Sequence, residues 1–369
     1  MLNPLLSGRK KRSEKTEGFG NSKLENPTQP NMEIKDYFSE SIHQEEKRLF
    51  KEFVYYGHQN FVPKHLDYHV LENTNNRWTL LNRNDQFFVQ SNVCLHRQAE
   101  ISSGRGNAKV HLCKAHCWTY DENGKIKATP HFPNKIEGSL ERRDLKNWNG
   151  VLFEGNLNLD LSKCGVDHLL DFSKYDYHST SRTDYSFNWK TFAEVYLENL
   201  HIYAMHPGLR KFVDPQNLEW HFGDNWSLQK IGVRDTLSGN DSASYKKMIE
   251  ALQRDGITPE FGAVWIYIYP NVMIEWYPKT IAISTTYCPI PEVTINYVDL
   301  FFEKGTDKEY IQTFESVYSE TALEDEEACT LLHNGRKSLW LNSESESGPV
   351  EEKLEAGLTH FWKWYKTNI

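Results

Sequence analysis

Two short segments constrain this chain more than any other feature: Cys94-Leu-His96 and, after sixteen intervening residues, Cys113-Lys-Ala-His116. Each supplies one thiolate and one imidazole from a tight loop. Each loop follows a strand-like run, QFFVQSNV before the first and KVHL before the second. Two such loops reaching from one small sheet can enclose a compact metal group. Zinc is one alternative, because two Cys and two His are also a zinc set. Zinc fingers, however, group Cys with Cys and His with His, whereas here each loop gives one of each. That split suits a [2Fe–2S] centre in which two His hold one iron and two Cys the other. Neutral imidazoles in place of two thiolates remove negative charge, so such a centre has a higher potential than an all-Cys cluster. The six cysteines are few and spread along the chain. That is the usage of a reduced, intracellular protein with a metal site, not of a disulfide scaffold.

The two loops resemble those of the Rieske non-haem iron oxygenases, in particular their α (oxygenase) subunits. The family's first loop reads Cys-x-His-Arg, matched by Cys94-Leu-His96-Arg97. Its second reads Cys-x-x-His-Gly-Trp-x-Tyr/Phe-Asp-x-x-Gly, matched by Cys113, His116, Trp118, Tyr120, Asp121 and Gly124. Gln98 and Cys117 depart from the pattern, standing where the family usually has Gly. The resemblance implies that Cys94, His96, Cys113 and His116 bind a Rieske [2Fe–2S] cluster. His111 reads as a structural strand residue, and Cys164 and Cys288 have no ligand-like neighbours in sequence.

A cluster of this kind only passes electrons, so the chain beyond residue 155 needs another role. The segment FNWKTFAEVYLENLHIYAMHPGL, residues 187–209, reads as a helix over 188–206. It places Glu194, Glu198 and His201 at i, i+4 and i+7, on one helical face. His206 follows His201 by five residues, about 140° round an ideal helix. The two imidazoles meet only if the helix ends or deforms between them, and Pro207 favours a break. Two inward His among acids and apolar residues need a partner. Non-haem Fe(II) held by two His and one carboxylate meets that need and leaves open positions for O₂.

Four acids at 324–327, in TALEDEEACTLLHNG, are candidates for the carboxylate. They fall in a helix expected over 307–334 and ended by Gly335. A solvated face is the ordinary reading of an acidic run. Asp325 fits that reading least, because it shares its face with Thr321, Ala322, Ala328, Cys329 and Leu332. Glu324 and Glu327 also have some apolar neighbours, while Glu326 faces Thr330 and His333.

The resemblance leads to the same residues. The family's catalytic helix reads Asn-Trp-Lys, then an acid, then Asp-x-x-His-x₄-His. Here Asn188-Trp189-Lys190 leads to Glu198, His201 and His206. In the branch of the choline and carnitine monooxygenases, Glu-Asp-x-x-x-Cys followed by Gly carries the third ligand, matched by Glu324-Asp325, Cys329 and Gly335. The ending EAGLTHFWKW is similar to that branch as well. The resemblance implies His201, His206 and Asp325 as ligands of a mononuclear iron. It implies Glu198, in place of the usual Asp, as the acid that links a catalytic His to a Rieske His of a neighbouring subunit.

The expected fold class is α+β. Residues 1–35, with the run Arg9-Lys10-Lys11-Arg12, read as a disordered tail. Residues 36–55 read as a leading amphipathic helix, capped by Ser39 and packing on the catalytic domain. Short strands broken by Asn, Gly and Asp over 56–155 suggest a small all-β Rieske [2Fe–2S] domain. Residues 156–369 form the expected catalytic mononuclear-iron domain. It is of helix-grip (START-like) type: an antiparallel sheet with long strands over 262–303, helices packed against it and a last helix over 350–366.

A net charge of −9 argues against a nucleic-acid partner. The lack of a long apolar run argues against a membrane span. A cytoplasmic protein is expected. The resemblance implies the terminal oxygenase of a multicomponent system, assembled as a homotrimer. It takes electrons from NAD(P)H through a reductase, with or without a ferredoxin. With O₂ it monooxygenates or oxidatively demethylates a small organic substrate, a quaternary ammonium compound or an aromatic one. Trp265, Tyr267, Tyr269, Trp276 and Tyr277 could supply cation–π contacts, although their alternation suits strands whose aromatics are mostly core. Three other readings stand beside this one: an aromatic ring-hydroxylating dioxygenase, a Rieske electron carrier, and a zinc-stabilised binding protein.

Overall fold

The computed structural model describes residues 32–234, 239, 242–345 and 348–369, so the tail expected over 1–35 lies almost wholly outside the described residues. Turn chemistry shapes the first half. Arg83 pairs with Gln86 across Asn84 and Asp85, both left-handed at φ 55° and 62°. Two such residues suit the tight turn that joins neighbouring antiparallel strands. The result is a five-stranded antiparallel sheet in the order Arg105–Asn107, Asp67–Val70, Trp78–Arg83, Gln86–Ser91, Arg142–Asp144. A three-stranded sheet of Val110–Leu112, Thr119–Asp121 and Ile126–Ala128 projects the second Cys-His loop. Another joins Phe53–His58 to Val151–Gly155 and Lys146–Trp148.

The second half is built on a seven-stranded antiparallel sheet. Its spatial order is Tyr175–Tyr185, Val293–Glu303, Thr280–Ile290, Val272–Tyr277, Ala263–Ile268, Trp226–Val233, Val213–Phe222. The expected strands over 262–303 are its centre. The alternation of strand residues gives this sheet two different faces. Ile266, Ile274 and Ile283 lie side by side across three strands. They join Tyr55, Leu80, Val151 and Phe172 in a core shared with the first half. On the opposite face Trp265, Glu275 and Ala282 are likewise in register. That face is covered by helices and carries the cavity described below.

The helices are α1 Ile34–Phe38, α2 Glu40–Glu52, α3 Trp189–Tyr196, α4 Leu200–Met205, α5 Ala243–Arg254, α6 Lys308–Leu341 and α7 Ala356–Asn368. Ser39 splits the expected leading helix into α1 and α2, and it precedes α2 without a side-chain cap bond. α6 runs straight through Gly335, which was expected to end it. A mid-helix Gly costs only about 1 kcal/mol, and the packing of α6 outweighs that. Among the described residues, no helix is long and apolar enough to cross a membrane.

A buried ion pair ties α2 to α3. Lys190 Nζ lies 2.5 Å from Glu46 Oε1, and both side chains are almost fully buried. Trp189 Nε1 and the Tyr365 hydroxyl donate to the same carboxylate at 3.0 and 2.6 Å. Burial alone would raise the Glu46 carboxyl, but the Lys190 charge and the hydrogen bonds of Lys190 and Trp189 outweigh it and hold it at about 2. A depressed carboxyl stabilises the fold above its unfolded pKa, and that stability is lost as pH falls towards about 2. Lys190→Met strands a buried carboxylate and is expected to cost about 3–5 kcal/mol of unfolding free energy. A urea-unfolding midpoint equal to wild type would contradict this.

Candidate metal centres

The two Cys-His loops share one backbone solution. Cys94 N–H donates to Ala99 O at 2.9 Å and Gln98 N–H to Cys94 O at 3.1 Å. In the second loop Cys113 N–H donates to Trp118 O at 2.8 Å and Cys117 N–H to Cys113 O at 2.9 Å. Each turn needs a left-handed residue four positions after its Cys, filled by Gln98 at φ 56° and Cys117 at φ 58°. This explains why Gly suits these two positions, since it has no Cβ to strain. Relief of about 1–2 kcal/mol of left-handed strain exceeds glycine's extra chain entropy of about 0.5–1 kcal/mol. Cys117→Gly is therefore expected to raise the thermal midpoint slightly; a lowered midpoint would refute the strain argument.

Cys94 and Cys113 are buried, whereas His116 is exposed and His96 partly so. The two imidazoles sit with ring centroids 4.6 Å apart, and His96 stacks on Trp118 at 5.0 Å. The Tyr120 hydroxyl accepts from Leu95 N–H at 3.0 Å and lies 3.1 Å from Cys94 Sγ. Buried His96 Nδ1 has no hydrogen-bond partner. Among the described residues, no three of these four donors come within 4.8 Å of one another, as the ligands of one tetrahedral zinc would. Inner thiols and outer imidazoles instead fit a two-iron group. His111 keeps its structural reading: it pairs with Ser102 Oγ at 3.2 Å and lies edge-on to Tyr68.

The helix expected over 188–206 is broken earlier than Pro207 alone suggests. α3 stops at Tyr196, whose carbonyl accepts from Gln229 Nε2 at 2.9 Å. Asn199, buried in the gap, donates to Gln229 Oε1 at 2.9 Å. The Glu198 carboxylate then accepts from Leu200 N–H at 2.5 Å and His201 N–H at 3.1 Å, starting α4. α4 ends at Met205, leaving His206 outside the helix. Glu194 therefore does not share a face with Glu198 and His201. It is tied to the Tyr37 hydroxyl at 2.5 Å, Trp362 Nε1 at 2.8 Å and Arg336 at 2.7 Å, a buried structural network.

This break brings His201 and His206 together, with ring centroids 4.9 Å apart. Asp325 Oδ1 lies 3.0 Å from His206 Nε2 and 3.3 Å from His201 Nε2. One donor atom from each of the three residues lies within 4.8 Å of the others. α6 reaches the site because Ala328 and Cys329 pack it against Tyr185, Phe187 and Val195. The outer nitrogens are held as well. His201 Nδ1 donates to Glu198 at 2.5 Å and His206 Nδ1 to Glu324 at 2.7 Å. A carboxylate behind each imidazole fixes the tautomer that aims Nε2 inward. Glu324 was not singled out from the sequence; its signals there were some apolar neighbours and adjacency to Asp325.

Burial would raise Asp325, but bonds from both imidazoles hold it at about 2. Burial would lower His201, but Asp325 and Glu198 raise it to about 10. Three carboxylates surround two imidazoles, a surplus of negative charge that a divalent cation balances. Two nitrogens and one carboxylate converging from one side suit the facial set of non-haem Fe(II).

A cavity of about 340 Å³ adjoins this centre. Ile202, Phe212, Met248, Phe314 and Val317 give it apolar walls, while His201, His206, Asp325 and Glu275 add polar groups. Trp265 and Tyr277 also line it. The other aromatics of the same strands do not. Trp276 faces the opposite side and donates to the Tyr175 hydroxyl at 3.2 Å, and Tyr267 and Tyr269 pack on Phe361 of α7.

A small [2Fe–2S]-type β unit, a seven-stranded sheet under helices and a two-His, one-carboxylate centre together define an oxygenase α subunit. Residues 53–148 match the Rieske [2Fe-2S] domain, and residues 171–369 match the ring hydroxylating alpha subunit (catalytic domain). The chain belongs to this family of Rieske oxygenases, oxidoreductases whose cofactors are a Rieske [2Fe–2S] cluster and a mononuclear iron. It is 39% identical over 349 residues to the putrescine 2-hydroxylase of Ralstonia nicotianae, covering 92% of this chain and 96% of that one. It is 27% identical over 252 residues to the carnitine monooxygenase oxygenase subunit of Acinetobacter pittii, covering 62% and 64%. Among solved structures, the quaternary ammonium Rieske monooxygenase CntA with L-carnitine superposes with a TM-score of 0.70 at 17% identity, covering 91% of this chain and 94% of that one. Naphthalene 1,2-dioxygenase from Rhodococcus sp. bound to indole gives 0.68 at 16% identity, covering 91% and 93%. These two likenesses concern the fold, and the expected α+β architecture with a Rieske domain and a large antiparallel sheet holds. The electron-carrier and zinc-protein readings fall away.

Proposed function

We propose that the chain is the terminal oxygenase of a multicomponent system that hydroxylates a short aliphatic diamine, of the putrescine type, at a carbon beside an amine-bearing carbon. The observation that carries this reading is the cavity: it joins the His201–His206–Asp325 set to apolar walls and a buried acid, Glu275. Such a lining suits a flexible hydrocarbon with cationic ends. The similarity to putrescine 2-hydroxylases along 92% of the chain supports the substrate class. The acidic cavity favours an amine over the neutral aromatic ring of a dioxygenase substrate.

Residues take these roles. Cys94, His96, Cys113 and His116 would hold the [2Fe–2S] cluster, and His201, His206 and Asp325 the iron. When bound, these groups supply electron transfer and O₂ activation. Glu198 holds the His201 Nδ1 proton and keeps Nε2 aimed at the centre; Glu324 does the same for His206. The Glu198 side chain remains 14% exposed, so it can accept a further hydrogen bond, from His96 or His116 of a neighbouring subunit in a homotrimer. The apolar walls exclude water from the reacting carbon. A reductase, with or without a ferredoxin, draws the electrons from NAD(P)H in the cytoplasm. In this reading residues 56–155 form the Rieske domain and 156–369 the catalytic domain, with 36–55 leading into them.

The test is turnover of the purified iron-loaded chain with a reductase, NADH and O₂. Putrescine is expected to yield a product heavier by one oxygen, coupled to NADH oxidation. Turnover of carnitine or naphthalene with putrescine inert would overturn the substrate class.

A further inference from the structure

Among the described residues, Glu275 is the one buried acid lining the cavity that the iron centre does not use. It sits on Val272–Tyr277, at the middle of the sheet, and is 5% exposed. Its carboxylate accepts from the Tyr277 hydroxyl at 2.8 Å and the Tyr318 hydroxyl at 3.3 Å. Trp265 Nε1 in turn donates to the Tyr277 oxygen at 2.9 Å. Among the described residues, no Lys, Arg or His forms an ion pair with Glu275. A carboxylate buried without a cation is costly, and burial pushes this one up to about 7 despite its two tyrosine partners.

Asp299 shows the plainer case of a buried acid satisfied by hydroxyls, those of Tyr55 and Thr180. Two facts set Glu275 apart. It opens into the cavity, which Asp299 does not line. Beside it, the buried Tyr196 hydroxyl feels the Glu275 charge yet has no hydrogen-bond partner. An acid lacking a cation and a hydroxyl lacking a partner share one wall.

We propose that Glu275, Tyr196 and Tyr318 form a subsite for a protonated primary ammonium group of the substrate, walled by Trp265 and Tyr277. The inference rests on the amine reading of the cavity and deepens it. A primary ammonium carries three N–H donors. The Glu275 carboxylate, the Tyr196 oxygen and the Tyr318 oxygen offer three acceptors. The rings of Trp265 and Tyr277 add cation–π attraction. A quaternary ammonium has no N–H and leaves the Tyr196 hydroxyl without a partner, which a buried site penalises. The subsite therefore selects primary amines over trimethylammonium compounds and anchors one end of the substrate while a carbon further along faces the iron centre.

The experiment compares wild type, Glu275→Gln and Tyr196→Phe as iron-loaded holoenzymes. It uses putrescine turnover and calorimetric binding of n-butylamine and butyltrimethylammonium. Glu275→Gln is expected to raise KM for putrescine about 100-fold while kcat at saturation and iron content stay near wild type. Tyr196→Phe is expected to raise KM about tenfold with unchanged folding. Wild type is expected to bind n-butylamine and to reject butyltrimethylammonium. Unchanged KM in both variants, with putrescine still hydroxylated, would overturn the subsite and leave the proposed function standing. Amine binding lost in Glu275→Gln, with putrescine inert in wild type, would support the subsite and overturn the substrate assignment. A wild type that hydroxylates putrescine but binds n-butylamine no better than butyltrimethylammonium would overturn the subsite alone.

Discussion

Asp325→Ala protein is expected to purify with its red-brown cluster intact, its mononuclear iron missing and its turnover lowered by at least about 1,000-fold. Among the described residues, Asp325 is the only carboxylate whose oxygen faces both Nε2 atoms, at 3.0 and 3.3 Å. Its loss leaves two imidazoles, whereas non-haem Fe(II) sites of this class use three protein ligands. Removing a group that merely orients a ligand typically costs 10–100-fold in metal affinity, so removing a ligand costs more. The variant should keep its fold, because Asp325 is a third exposed to the cavity and the packing of α6 rests on Ala328 and Cys329. Iron analysis should fall from about three per chain to about two. A variant that retains about three irons, or turns over near the wild-type rate, would remove Asp325 from the centre.

Glu198→Gln isolates the second large effect. Glu198 has two jobs: its carboxylate caps α4 through Leu200 and His201 N–H, and it holds His201 Nδ1. Gln keeps the size and an acceptor oxygen, so α4 is expected to stay in place. The charge is lost, and with it a strong hydrogen bond on each side of the proposed inter-subunit link. Steady-state turnover is expected to drop about 100-fold or more, while the reductase still reduces the cluster and the iron content stays nearly complete. The diagnostic signal is kinetic: the cluster should be reduced at the wild-type rate and then reoxidise slowly in the presence of substrate and O₂. Reoxidation at the wild-type rate would leave Glu198 with its capping role alone.

These residues differ in how far the sequence revealed them. Cys94, His96, Cys113 and His116 were legible because each pair sits within one short loop, where spacing alone brings the donors together. Asp325 was legible from helical periodicity, since Ala328 and Cys329 mark the buried side of α6. Glu324 was not. It lies one residue from Asp325, yet both reach His206 because that imidazole is wedged between them, presenting Nδ1 to one and Nε2 to the other. The break before His201 was also hidden. Its causes are Gln229 and the Leu354 carbonyl, which come from distant parts of the chain and take the hydrogen bonds a continuous helix would use.

The strand Tyr175–Tyr185 was missed for a simpler reason: it is an edge strand, mostly exposed and polar, and lacks the hydrophobic alternation that marks a half-buried strand. Val213–Phe222, at the other edge, is similarly polar. Gly335 misled in the opposite direction, because tertiary packing carried α6 past it. Glu275 drew no attention in a run of strand residues. Its meaning depends on register, which sets it beside Trp265 on the cavity side of the sheet.

One measurement bears most directly on the whole account: an anomalous difference map of crystals of the purified holoprotein, collected at the iron edge. Two separate features per chain are expected, a two-iron peak between the loops of Cys94–His96 and Cys113–His116 and a single iron within the His201, His206 and Asp325 set. Iron confined to the loops, or a zinc signal there instead, would contradict it.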